Sequence, residues 1–196
     1  MIPPTVPVGI GDFCVVSTAT STSGLIDGLE WLSDAVTRKR HGGWEKWDHA
    51  LVCTDPGDAS HPMMIVEAEP GGAVERPWHY DGHPHQWSSG IIALTPAQRT
   101  AIEMDAHMLA DRGTGYGWID YLALVDHALH IPAPGLKRFI GSSHTLICSQ
   151  LVDRCYQRAG VQLFDDGRWP GYVMPSDLGS LLSEVTPGTK IPGSAI

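Results

Sequence analysis

Apolar and polar positions switch between two periods along this chain, and each switch marks an element. Gly11-Asp-Phe-Cys-Val-Val-Ser17 is a compact apolar run that reads as a first strand. Leu25, Ile26, Leu29, Leu32, Ala35 and Val36 then recur at helical spacing and predict a helix over about 24–39. Apolar runs at about 48–54 and 63–68 predict two further strands, joined through Pro56-Gly-Asp. Gly71-Gly72 supplies the next turn, Val74-Glu-Arg continues the sheet, and Gly90-Ile-Ile-Ala-Leu94 reads as another short strand.

Helix boundaries are marked by their end chemistry. Thr95 followed by Pro96 pairs a capping residue with a proline at the first helical position, and the helix should run to Arg112 and stop at Gly113. Residues 121–130 predict a second helix, ended by Pro132 and Pro134. A third covers about 147–159 and ends at Gly160, which suits a left-handed cap. A short helix follows Pro175-Ser-Asp177. Strands and helices are partly segregated, which predicts an α+β fold with an antiparallel sheet. With no internal repeat, low-complexity tract or linker, the 196 residues are expected to form one domain, residues 1–196, with its core at about 10–180.

Composition narrows the classes. A hydrophobic fraction of 42% with 18% charged residues describes a globular chain. The formal charge of −9 argues against sequence-independent nucleic-acid binding, which relies on cationic contacts to phosphate. Arg38-Lys-Arg40 suits the C-terminal end of a helix, where cations are favoured. No apolar run approaches the roughly 20 residues of a membrane span, and the N-terminus lacks the charged-then-apolar order of a secretory signal. A cytoplasmic location is expected, and a phage origin would read the same way. Cys14, Cys53, Cys148 and Cys155 show no regular framework, so reduced thiols are expected. Cys148 and Cys155 lie two helical turns apart, roughly 10 Å along the axis and too far for a disulfide.

The chemistry centres on three residues. Cys148 opens a buried amphipathic helix, where the positive end of the dipole and unpaired backbone N–H groups favour thiolate over thiol. The bland reading is a buried structural thiol, since Cys148, Leu151, Val152, Cys155 and Ala159 share one helical face. Position at the helix start separates Cys148 from Cys155, and Cys14 and Cys53 read as strand core. His49 enters an apolar strand and is the candidate general base, with Glu67 as the acid that orients its ring from the neighbouring strand. Glu69 shares the parity of Glu67 and is the second choice. His144, four residues before Cys148, is an alternative base. The segment His79-Tyr-Asp-Gly-His-Pro-His85 could suggest a metal site through His79, Asp81, His83 and His85, but its Gly and Pro break helical spacing and it reads as a surface loop. Neither a metal nor another cofactor is expected. Trp44, Trp47, Trp78 and Trp87 either line a groove or bury apolar area.

Asp48-His-Ala-Leu-Val, then Ile65-Val-Glu-Ala with Gly-Gly after it, then Ile147-Cys-Ser-Gln-Leu-Val resemble the circularly permuted NlpC-type papain-like hydrolases, the YiiX/YaeF-like group. Gly11-Asp12 before an apolar strand, Gly115-Tyr-Gly-Trp118 and Pro175-Ser-Asp-Leu178 match in order, so the resemblance spans about residues 10–180. It implies a papain-like fold in which the cysteine helix packs on an antiparallel sheet. The order His49, Glu67, Cys148 fits the permuted arrangement, with Cys148 as nucleophile, His49 as base and Glu67 as orienting acid. Gln150 stands where permuted members often have Glu.

The expected activity is a cysteine peptidase or amidase acting on a peptide or peptidoglycan-derived muropeptide through a thioacyl-enzyme intermediate. Tyr116 is a candidate donor to the oxyanion or substrate, its alternative role being packing in a Gly-rich turn. The rivals are a thiol-dependent lipid acyltransferase or esterase, with an acyl substrate, and a non-catalytic binding or structural protein that retains the fold.

Overall fold

The computed structural model describes residues 6–18, 47–69, 72–112, 115–116, 145–146, 148–164 and 173–184. The helices expected over 24–39 and 121–130 lie outside them, as do Trp44 and His144. Five strands form one antiparallel sheet: β1 (Phe13–Val16), β2 (His49–Asp55), β3 (Met64–Glu69), β4 (Gly72–Pro77) and β5 (His85–Trp87), in the order β4-β3-β2-β1-β5. The helices are α1 (Pro96–Asp111), α2 (Cys148–Arg158) and α3 (Pro175–Glu184). The fold is therefore α+β, built on an antiparallel sheet as the segregation of elements predicts.

One of the expected strand positions is corrected. Gly90–Leu94 forms no strand, because the N–H groups of Ile91 and Ile92 both donate to the Ser88 carbonyl at 3.0 and 2.9 Å. Gly90 sits at φ +74°, a turn conformation that a short apolar run does not reveal. The fifth strand comes instead from His85–Trp87, which begins at the last residue of the segment read as surface loop. A two-stranded parallel pair, β6 (Gly115–Tyr116) with β7 (Thr145–Leu146), was also not anticipated. Two residues are too few to show a period.

Both faces of the sheet are buried, which is why β2 reads as an almost unbroken apolar run. Phe13, Val15, Ala50, Val52, Val66 and Ala68 pack under Ile102, Ala106 and Leu109 of α1 and Leu151, Val152, Cys155 and Tyr156 of α2. Cys14, Val16, Leu51, Cys53 and Ile65 face the other way, against Tyr80 and Trp87. The helices have the ends their sequences predict. Thr95 closes a capping box with Gln98. At the far end of α2, Val161 N–H returns to the Tyr156 carbonyl at 2.9 Å, with Gly160 at φ +72°. Ser149 Oγ donates to the Val173 carbonyl at 2.6 Å, tying the first turn of α2 to the approach to α3. Glycine is required at 179, since a Cβ there would overlap the indole of Trp47. That contact seats α3 against the segment that leads into His49.

Candidate active site

Cys148 is the first residue of α2, so its backbone N–H belongs to the set that no helical carbonyl satisfies. Its side chain is 5% exposed and packs with the helix-side core. His49 is the first residue of β2. Side chains alternate along a strand, which gives His49 the parity of Leu51 and Cys53 and gives Glu67 the parity of Ile65. Leu51 pairs with Glu67, so Glu67 is a diagonal same-face neighbour of His49.

The side chains complete the contact. His49 Nε2 meets Glu67 Oε2 at 2.6 Å, with the imidazole 14% exposed and the carboxylate 0%. The thiol of Cys148 lies close enough to the imidazole to act on its titration. With Nε2 committed to Glu67, Nδ1 is the ring nitrogen left for sulfur. The ring thus joins a nucleophile from the helix layer to an acid from the sheet. The structure brings together the three residues singled out from sequence.

Electrostatics follow from these partners. Burial alone would push the His49 imidazolium towards deprotonation. Hydrogen bonding and charge interaction with Cys148, then with Glu67, outweigh it and raise the imidazole from 6.5 to about 10. Burial would likewise push the Glu67 carboxyl up, but hydrogen bonds from His49 and Tyr80 and the charge of Arg76 hold it below the ordinary value of 4.5. The arrangement favours a protonated imidazole beside an ionised acid.

Glu67 has more partners than the sequence reading supplied. Tyr80 Oη donates to Glu67 Oε2 at 2.7 Å, so this one oxygen serves both the phenol and the imidazole. Arg76 Nε lies 3.2 Å from Oε1, and the same guanidinium pairs with Glu69. Glu69, the second choice for the acid, is one-third exposed and committed to Arg76, not to His49. Arg76 could have been found from sequence. The antiparallel register of β3 and β4 pairs Glu67 with Val74 and Ile65 with Arg76, which places Arg76 diagonally beside Glu67. Tyr80 carries no comparable signal, because it lies in an irregular connection.

His79, Asp81, His83 and His85, the residues weighed and set aside as a metal site, engage separate partners. His79 Nδ1 donates to the Pro77 carbonyl at 3.2 Å, His83 Nδ1 to that of Ser17 at 3.3 Å and His85 Nδ1 to that of His83 at 2.8 Å. Asp81 accepts from Trp78 Nε1 at 2.7 Å. Among the described residues, the donor atoms that converge are those of Glu67, Glu69 and His79, within 4.8 Å of one another. The guanidinium of Arg76 already supplies the cation that pairs with both glutamates. Trp47 packs on Gly179 and Trp78 packs on Trp87 with ring centroids 5.2 Å apart, so these indoles bury apolar area. Tyr116 lies on β6, which pairs with β7 two residues before Cys148.

All four cysteines are free and buried. Burial pushes the thiols of Cys14, Cys53 and Cys155 up, Cys53 to about 12, as expected for core positions. Among the described residues no helix is long and apolar enough to cross a membrane. Comparison with protein-family models, curated proteins and solved structures finds no match for this chain.

Proposed function

We propose that the protein is a cysteine hydrolase that cleaves an amide bond in a peptide or peptidoglycan-derived peptide. The observation that carries this reading is the placement of His49 between the Cys148 thiol and the Glu67 carboxylate. A buried structural cysteine has no need of a histidine that is itself oriented by a buried acid. The chain order His49, Glu67, Cys148, with the cysteine opening a helix over an antiparallel sheet, supports a permuted papain-like arrangement.

In this mechanism His49 holds the proton of Cys148, and the thiolate attacks the substrate carbonyl carbon. The backbone N–H of Cys148 donates to the developing oxyanion, as the start of a helix allows. Imidazolium then protonates the leaving amine as the C–N bond breaks, which leaves a thioester on Cys148. Water, losing a proton to the same ring, attacks the thioester and releases the acid. Glu67 keeps Nε2 occupied, so that Nδ1 faces sulfur throughout.

The test is the pH profile of alkylation at Cys148, with and without His49→Ala. The wild type should alkylate with a midpoint below about 8.5, the value of free cysteine, and the variant should return to that value. An unchanged profile would identify a non-catalytic protein. A screen of muropeptides against short acyl esters and phospholipids then separates hydrolysis of amides from acyl transfer.

A further inference from the structure

The carboxylate behind the imidazole is hydrogen-bonded through one oxygen, Oε2, while its other oxygen meets an ion pair without a hydrogen bond. Tyr80 is 7% exposed, and its hydroxyl meets Glu67 Oε2 at 2.7 Å, beside the 2.6 Å contact from His49 Nε2. Arg76 Nε stands 3.2 Å from Oε1. Tyr80 is itself confined on every side. Its ring lies 4.1 Å from His79 and 5.5 Å from Trp78, with His49 at 5.7 Å and His83 at 5.9 Å between centroids. Burial, followed by its hydrogen bond to Glu67, pushes the phenol well above its usual range. The hydroxyl therefore remains a donor wherever the protein is folded.

We propose that Tyr80 is a positioning residue: its hydroxyl pins Glu67 Oε2 beside the imidazole and so holds the carboxylate in the orientation that His49 needs. A carboxylate held by the imidazole alone can rotate about its last bond and exchange oxygens. A second donor on that same oxygen, with the Arg76 charge beside the other, opposes the exchange, and a donor to the ionised form also keeps the acid ionised. The groups that bear on Glu67 are His49 from β2, Arg76 from β4, Glu69 from its own strand, and His79 and Tyr80 from the connection after β4. Tyr80 is the one among them that shares an oxygen with His49.

This inference rests on the Cys148–His49–Glu67 reading, and its test keeps the two apart. The full chain would be alkylated with iodoacetamide across pH as wild type, Tyr80→Phe, Arg76→Gln, Glu67→Gln and the Tyr80→Phe/Glu67→Gln pair, with the melting temperature recorded for each. Tyr80→Phe should slow Cys148 by about 10-fold, the worth of a hydrogen bond to a charged group. Its acid limb should move up by about half a unit to one unit, because a less supported imidazolium releases the thiolate at higher pH. Arg76→Gln, at a side chain about one-third exposed, should shift the limb in the same direction by less. On the Glu67→Gln background the tyrosine change should add nothing. An acid limb that stays in place in both single variants, or one that Tyr80→Phe moves equally without Glu67, overturns the inference. If His49→Ala slows Cys148 while these variants do not, only the role of Tyr80 falls. If His49→Ala has no effect, the triad falls with it.

Discussion

The two ends of β2 carry the same chemical pair in opposite settings. At its start, His49 meets Glu67 at 2.6 Å with side chains 14% and 0% exposed. Beyond its end, His61 lies between Asp55 at 3.1 Å and Asp58 at 2.9 Å, with all three side chains at least 45% exposed. The directions of titration agree: each histidine is raised, and each acid is lowered. The causes do not. At His61 the hydrogen bond to Asp55 and the charge of Asp58 act on a group that water already solvates. At His49 burial is the largest influence and opposes the charge, and the thiol and carboxylate must overcome it. Contact distance alone would rank the pairs as near equals. Desolvation and the third partner separate them, because water screens one pair and has been removed from the other.

The largest expected effect lies in reactivity. His49→Ala should lower the alkylation rate of Cys148 at pH 7 by about 100-fold or more, the scale of a lost general base. His61→Ala should leave that rate unchanged. Equal responses in the two variants would erase the distinction.

Stability sharpens the contrast next. Glu67→Ala removes the acid and leaves a buried imidazole and part of a guanidinium without their counter-charge. This should cost about 3–5 kcal/mol of unfolding free energy, the usual penalty for breaking a buried pair, measured by urea titration. Asp55→Ala should leave the urea midpoint where it was.

The smallest effect is the pH dependence. The folded state raises His49, so its stabilising contribution is complete below pH 6.5 and fades as pH climbs to about 10. Glu67 is lowered, so its contribution is present above 4.5 and declines as pH falls through the lowered value. The gap in unfolding free energy between wild type and His49→Ala should therefore narrow steadily from pH 6.5 to 10. A gap independent of pH would mean that the ring contributes packing alone.

How much of this was legible beforehand follows from what each residue does locally. Thr95 with Pro96, and Gly160, announce their helix ends through capping chemistry within a few residues of chain, and both appear as expected. Cys148 at a helix start and His49 at a strand start were readable because both mark a change of period. The choice of Glu67 over Glu69 depends on a diagonal across β2 and β3, and the apolar neighbours of Glu67 pointed to it. Tyr80 was not legible. Its position depends on how residues 78–84 cross the sheet face, and no period records that path. β5, which follows directly, was hidden too, because its three residues alternate too briefly to register. Gly90–Leu94 shows the converse error, an apolar run whose buried Ile92 packs from a turn.

The irregularity in β2 lies between Cys53 and Asp55, away from the pairing of Leu51 with Glu67. Residues 56–62 are therefore roughly 20 Å from His49 along a seven-residue strand, beyond a bulge that can absorb a change in length. An epitope, a fluorophore or several added residues could be grafted into that loop without slipping the strands that align base and acid. For a chain whose substrate must still be identified, it is a convenient handle for immobilisation during screening.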